Sequence, residues 1–136
     1  MATAPTPKRR AQSNAEFIVV VAAVLAMLVA FGVPALQAYE GNVALSAARV
    51  GLEGYLSPNR SLSLGPLGYN VSGNTLTIRP HVYYNGTRLD DSWADAPNAR
   101  AATLRAIARA LKQNYLSASD LNTTGLTYRY SVNFSG

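Results

Sequence analysis

The chain has 136 residues, with no cysteine and a single histidine, His81. The length is typical of one domain, and the lack of cysteine excludes disulfides, iron–sulfur clusters, thiolate zinc sites and cysteine nucleophiles. Twelve basic residues stand against seven acids, but three of the twelve, Lys8, Arg9 and Arg10, precede the first acid, Glu16. Without that leader the net charge is near neutral. The basic composition of the whole chain is therefore only weak evidence for nucleic-acid binding. No nucleophile–base pair is suggested by spacing, so we expect no catalytic residue, enzyme activity, metal site or cofactor.

No charged residue occurs from Phe17 to Tyr39, and Gln37 is the one strongly polar side chain in that run. About 20 apolar residues suffice to cross the hydrocarbon layer of a membrane. A buried core helix of a soluble protein has the same composition, but a chain this short has too little core to surround one. We therefore predict a membrane-competent segment, and the preceding cations favour a cytoplasmic N-terminus with the C-terminal part outside.

The helical pattern continues beyond Tyr39, and the first firm stop is Ser57-Pro58-Asn59. The spacing predicts one long helix from about Asn14 to Leu56. Gly32 and Pro34 lie inside it, and Pro34 should kink or loosen the helix because its nitrogen cannot donate. The first half suits lipid or an apolar bundle, and the second half should pack against a domain.

From Ser57 onward the pattern indicates a small β-rich domain. Thr75–Arg79 alternates, Pro80 should mark a strand end or a sheet edge, and Asn85-Gly86 is a favoured two-residue hairpin turn. Alternation over Leu126–Ser135 predicts a half-buried strand with Thr127 on its polar face. A second, amphipathic helix is predicted over Ala96–Tyr115, and the fold class expected is α+β, with the long helix packed on a small antiparallel sheet.

The polar-to-apolar junction is the most specific motif: Lys8-Arg9-Arg10-Ala11-Gln12-Ser13-Asn14-Ala15-Glu16-Phe17. It resembles the class III signal peptides of archaeal type IV pilins, in which a prepilin peptidase cuts before the apolar helix. The resemblance implies cleavage between Ala11 and Gln12, with Lys8, Arg9 and Arg10 as the basic residues of the leader. Gln12 and Glu16 match the first and fifth mature positions, whereas Ser13 and Asn14 depart from the pattern between them. The implied domains are a leader over 1–11, a helix over 12–56 and a globular head over 57–136.

The resemblance further implies a structural subunit of an extracellular type IV pilus-like filament, serving adhesion or surface attachment. The partners would be other copies of the chain in a helical homopolymer, the prepilin peptidase, an assembly ATPase with its membrane platform, and the membrane before assembly. Residues expected to matter for assembly are Gln12, Glu16, Phe17, Ala26 and Pro34. Glu16 either pairs with the Gln12 amine after cleavage or simply favours the helix N-terminus.

Two alternatives remain open: a minor or DNA-capturing pilin-like protein, and a signal-anchored monomeric membrane protein with an outer domain. The DNA-capturing alternative would use Arg100, Arg105 and Arg109, although a solvated basic helix face explains these residues equally well, and nucleic acid is not an expected partner. Asp90, Asp91 and Asp95 fit a polar loop that caps the following helix better than a cation site, and Trp93 fits an anchor between that loop and the sheet.

The sequence also contains Asn-x-Ser/Thr acceptor patterns for N-linked glycans, all after the long helix, on the side expected to be outside. We expect some of them to be modified. They begin at Asn59, Asn70, Asn85, Asn122 and Asn133.

Overall fold

The computed structural model describes residues 7–112 and 122–135. The chain divides into two compact units, one ending at Leu36 and the other beginning at Gln37. Within the described residues, two helices and five strands follow one another, which confirms the α+β class: α1 (Pro7–Leu56), β1 (Leu62–Ser72), β2 (Thr75–Tyr84), β3 (Thr87–Arg88), α2 (Ala96–Ala110), β4 (Asn122–Thr124) and β5 (Arg129–Val132).

Helix α1 begins at Pro7, about two turns before the predicted start. Proline is tolerated at the first helical position because its missing N–H would have no partner there. The basic residues, alanine and glutamine that follow are good helix formers, so the helical segment extends into the leader. The helix ends at Leu56, as predicted, and it continues without interruption through Pro34. The looser geometry expected at Pro34 stays a prediction.

In the second unit, residues 37–56 of α1 pack on the sheet. Ala44, Ala48, Leu52 and Leu56 recur every four residues and are all buried, as expected for one face of a helix. Their partners in the core lie on β2, β5 and α2: Leu76, Ile78, Val82, Leu104, Ile107, Tyr130 and Val132.

The sheet is mixed, which corrects the prediction of an antiparallel sheet. The strand order is β1-β2-β5-β4, with β3 beside one end of β2. Strand β5 pairs parallel to β2, with Thr75 opposite Arg129 and Ile78 opposite Val132. A parallel pair needs a crossover connection, and the chain between β2 and β5 contains α2, so the helix that the sequence predicted makes the parallel pair possible.

Strand β2 continues through Pro80, contrary to the prediction that a strand ends or a sheet edge lies there. The carbonyls of Ile78 and Val82 accept hydrogen bonds from Asn133 and Leu89 on the side of β2 away from β1. By alternation, the Pro80 nitrogen faces that same side, in the interval between β5 and β3. The proline is tolerated because no described strand is opposite its missing donor.

The hairpin turn predicted at Asn85-Gly86 is confirmed. Asn85 and Gly86 both have positive φ, 49° and 83°, and they join Tyr84 to Thr87 in the predicted two-residue turn.

Helix α2 starts at Ala96, as predicted, and ends at Ala110, while residues 113–115 of the predicted helix lie outside the described residues. Strand β5 is shorter than Leu126–Ser135, and Leu126, predicted to face inward, is 80% exposed.

Candidate assembly segment and the carboxylate clusters of the sheet unit

The first unit exposes a continuous apolar helix surface. The large apolar side chains from Phe17 to Leu36 are 39–74% exposed, and the helix is long and apolar enough to cross a membrane. An exposed apolar surface of this extent marks a protein or membrane interaction site. The small residues that would allow close approach of another helix are Ala22, Ala23, Ala26, Ala30 and Gly32.

The residues of the predicted processing site lie in the first turns of α1. Ala11, Gln12 and Glu16 are helical and exposed, as is Arg10, and the backbone at Lys8 and Arg9 is helical as well. Gln12 and Glu16 are four residues apart and so lie on one helix face. Phe17 and Ala26 are exposed in the same helix, as is Pro34.

Glu40, which no sequence motif singles out, is a carboxylate buried in the sheet unit with only 5% exposure. Its Oε2 accepts hydrogen bonds from the Thr127 N–H at 2.8 Å and the Thr127 hydroxyl at 2.9 Å. Its Oε1 accepts from the Tyr130 hydroxyl at 2.8 Å and the Tyr128 N–H at 3.3 Å. These four bonds fix the segment between β4 and β5 to helix α1.

The pKa values of Glu40 and Tyr130 are both shifted from their ordinary values. Glu40 directly follows the uncharged run Phe17–Tyr39 and is buried in the sheet unit. Burial would raise the pKa of its carboxyl, but the hydrogen bonds outweigh burial and hold the pKa below its ordinary value. Burial and the nearby carboxylate raise the pKa of Tyr130 well above its ordinary value. The stable state is therefore a Glu40 carboxylate beside a neutral Tyr130.

Gly125 allows this approach of the carboxylate. A Cβ at Gly125 would lie 2.9 Å from the Tyr130 ring and 3.0 Å from the Glu40 carboxyl carbon, with closer contact to Oε1. Thr127, predicted to point to solvent from the polar face of a strand, instead supplies two of the four hydrogen bonds. A glutamate standing directly after a long uncharged run was the one sequence signal for this cluster.

Asp91 forms a second carboxylate cluster. Its Oδ1 accepts from the Arg100 guanidinium at 2.9 Å and the Phe134 N–H at 3.0 Å, and its Oδ2 accepts from the Ser135 hydroxyl at 2.8 Å. Burial opposes these interactions, but together they hold the pKa of the Asp91 carboxyl below its usual value. Asp91 therefore joins the C-terminal segment to α2.

Arg100 is not part of a solvated basic face, which corrects that prediction. Its side chain is only 16% exposed, and Nε donates to the Val132 carbonyl at 3.0 Å. A DNA-contacting face made of Arg100, Arg105 and Arg109 was considered above. Arg100 does not contribute to it, because its charge pairs with Asp91 and its Nε donates to the Val132 carbonyl.

The rest of the acidic loop is explained by local structure. The Asp90 carboxylate accepts from the backbone and hydroxyl of Ser92, and Asp95 is the N-cap residue of α2 without a side-chain cap bond. Trp93 packs edge-on against Phe134 with ring centroids 6.0 Å apart, so it does anchor the loop. Across residues 7–112 and 122–135, no group of His, Asp or Glu is arranged to hold a metal ion.

The glycan acceptor positions occupy different environments. Asn59 and Asn70 are exposed, as is Asn85 in its turn, whereas Asn133 is half-buried. The Asn59 and Asn133 side-chain oxygens each accept the N–H of the residue two positions on, at 3.0 and 2.8 Å. Asn122 begins β4, and its side chain lies outside what the structure describes.

No protein-family model, curated protein sequence or solved structure matches this chain.

Proposed function

We propose that this protein is a structural subunit of an extracellular, type IV pilus-like filament, used for adhesion or surface attachment. The observation that carries the proposal is the apolar segment Phe17–Leu36, which exposes its side chains on all sides and continues in one helix into a packed sheet unit. Such a segment is stable in a membrane or in a bundle of identical helices, but not in water.

The junction before the segment supports this function over that of a simple anchor. The basic leader residues, Ala11, Gln12 and Glu16 form the motif that resembles a prepilin cleavage site. Cleavage would remove three cations and create an amine at Gln12, four residues from Glu16. In an apolar bundle, a carboxylate paired with an amine costs far less free energy than an unpaired one.

Processing and assembly by this pathway involve the membrane, a peptidase and an assembly machine as partners. The subunit waits in the cytoplasmic membrane, the prepilin peptidase removes residues 1–11, and an assembly ATPase with its membrane platform builds the homopolymer. The sheet unit then faces outward, and its exposed acceptor positions Asn59 and Asn85 are available for N-linked glycans. No enzyme activity, metal or cofactor belongs to this proposal.

Two alternatives share the same apolar helix. A signal-anchored monomer would keep residues 1–11 together with the apolar segment. A minor or DNA-capturing pilin-like protein would be processed identically but would be scarce in filaments, and the engagement of Arg100 with Asp91 weakens the basic face it needs.

The test is the mature N-terminus of protein recovered from the sheared extracellular fraction. We expect Gln12 as the first residue, and we expect Ala11→Asp to leave the protein unprocessed in the membrane fraction, because the peptidase requires a small residue at the end of the leader. Abundant filaments whose subunits still carry Lys8–Ala11 would contradict the proposal, and protein starting at Met1 or Ala2 that remains in the membrane would support the anchored monomer.

A further inference from the structure

The sheet has a polar face, here called the outer face, opposite the face packed on α1 and α2. On β2 it comprises Thr75, Thr77, Arg79, His81 and Tyr83, which alternate with buried residues and are themselves half-exposed. A 3.0 Å hydrogen bond between the Thr77 and Ser131 hydroxyls shows that β5 presents Ser131 on the same face.

Three arginines lie along the outer face. Arg79 is in the middle of β2, Arg129 is opposite Thr75 at one end, and Arg88 is opposite Tyr83 at the other. The ion pairs found among the described residues involve other arginines, and the Arg79 Nε is buried without a hydrogen-bond partner there. Because Arg88 and Arg129 are exposed, the outer face offers guanidinium donors that the described part of the chain does not use, although the Arg79 Nε itself is not accessible.

No acidic residue accompanies them among the described residues of this face. The six described acids lie elsewhere: Glu16 is in the first turns of α1, Glu40 is inside the sheet unit, Glu53 pairs with Arg49 on α1, and three aspartates belong to the loop before α2. The face is consequently cationic, although the whole chain without its leader is close to neutral.

The spacing of the arginines indicates which polyanion fits. Arg79 is four residues from both Thr75 and Tyr83, about 13 Å in each direction at ~3.3 Å per residue. Three cations over about 26 Å are far sparser than the charge of duplex DNA, which carries one phosphate per ~1.7 Å of axis. Hydroxyl and amide groups lie between the arginines, on Thr77, Ser131 and Asn70.

Single-stranded nucleic acid also fits poorly. Grooves for single strands use several aromatic rings on which successive bases stack. Among the described residues of the outer face, the aromatic rings are those of His81 and Tyr83, and Tyr83 is partly occupied: a Cβ at Gly65 would come within 2.8 Å of its ring. A chain rich in hydroxyls, with carboxylates or sulfates on its sugars and a lower charge density than duplex DNA, matches the hydrogen-bonding groups of this face and supplies anionic groups for the arginines.

We propose that the outer face binds acidic polysaccharides, with Arg79, Arg88 and Arg129 each receiving an anionic group and the intervening hydroxyls and amides contacting sugar hydroxyls. Arginine suits this role because its planar guanidinium donates two parallel bonds to one carboxylate. The inference deepens the proposed adhesive function by giving the chemical class of the surface to which a filament would attach. It rests on that function only for the outward position of the sheet.

Two of the glycan acceptor asparagines, Asn70 and Asn133, belong to the outer face, and the proposal predicts whether they carry glycans. Asn70 pairs with Thr77, and Asn133 alternates with the buried Val132 and Phe134. A glycan at either position would block the surface between the arginines. Mass spectrometry of the native protein should therefore find both predominantly unmodified, with modification concentrated at the turn residues Asn59 and Asn85, and high occupancy at Asn70 or Asn133 would contradict the proposal.

The binding test uses the full chain, dispersed in detergent so that assembly is not required, with immobilised polygalacturonate as the probe. The face variant is Arg79→Gln/Arg88→Gln/Arg129→Gln, and the matched control is Arg60→Gln/Arg109→Gln/Lys112→Gln, which removes the same charge from exposed positions elsewhere. We expect binding about tenfold weaker for the face variant and less than about twofold weaker for the control. The double variant Arg88→Gln/Arg129→Gln, at two exposed positions, carries the test if the triple variant does not fold.

Three results would overturn the proposal: equal losses in the two triple variants, equal binding of neutral dextran, and binding of single-stranded DNA as tight as that of polygalacturonate at the same salt concentration. Since dispersed protein is used, any of these would leave the filament proposal standing. Conversely, selective binding of polygalacturonate by protein that never polymerises would support this inference while the proposed filament function failed.

Discussion

Glu40 is a buried carboxylate with no ion pair to another described residue, so it is tolerated only while its hydrogen bonds are made. Its four donors come from three residues in the segment between β4 and β5 and in β5 itself. Asp91 performs a similar function for the C-terminal segment, with a guanidinium among its partners.

Replacing Glu40 by alanine should destabilise the sheet unit severely. The Thr127 N–H and the Tyr130 hydroxyl would lose their acceptor, and each buried donor left unsatisfied costs about 1–3 kcal/mol. We expect a loss of at least about 3 kcal/mol, measured as the free energy of unfolding of the detergent-dispersed protein. The control is Glu53→Ala on the same helix, where the exposed ion pair with Arg49 contributes at most about 1 kcal/mol. Equal losses in the two variants would contradict the importance assigned to the Glu40 cluster.

The same two carboxylates predict how stability depends on pH. Both have a pKa lowered by folding, so the unfolded chain binds protons more readily than the folded one. Their contribution is fully present above the unfolded values, ~3.9 for Asp and ~4.3 for Glu, and it is lost as pH falls through the lower folded values. Unfolding measured from pH 7 to pH 3 should show stability falling below about pH 4.5, with a smaller fall in Asp91→Asn. A flat or rising profile would be inconsistent with these shifts.

At the scale of elements, features encoded by neighbouring residues were predictable, whereas long-range ones were not. The apolar run predicted α1, Asn85-Gly86 predicted its turn, and the apolar spacing predicted the start of α2. The Glu40 cluster joins residues 87 to 90 positions apart, and nothing local to Glu40 specifies Thr127 or Tyr130 as partners. The parallel β2–β5 pair escaped prediction for the same reason, since alternation within a strand does not encode the direction of its neighbour.

Glu16 allows the role of the first turns of α1 to be tested separately from processing. If its carboxylate pairs with the Gln12 amine in the assembled bundle, Glu16→Ala should leave cleavage intact and reduce filament number strongly. Mass spectrometry of the N-terminus and filament counts from the same cells measure the two effects. Normal numbers of filaments in this variant would show that Glu16 only favours the helix N-terminus.

At the scale of the whole molecule, the chain combines a unit that cannot remain in water with one that has its own core. The first exposes large apolar side chains from Phe17 to Leu36, while the second buries Ala44, Ala48 and Leu52 of the same helix against the sheet. Association of apolar helices that leave a membrane gains little from hydrophobicity and depends on close van der Waals packing. The proposed filament therefore predicts that assembly is most sensitive to substitution at small residues such as Ala26.

Electron microscopy of cells that express Ala26→Asp tests directly whether this helix forms the filament core. The matched control is Ala94→Asp, the same substitution at an exposed position in the loop before α2. A carboxylate at position 26 would be buried without a partner in an apolar bundle, at a free-energy cost that packing cannot offset. We expect abundant filaments with Ala94→Asp and none with Ala26→Asp, although both proteins are made and processed at Gln12, whereas normal filaments with Ala26→Asp would show that the exposed apolar helix is not the core.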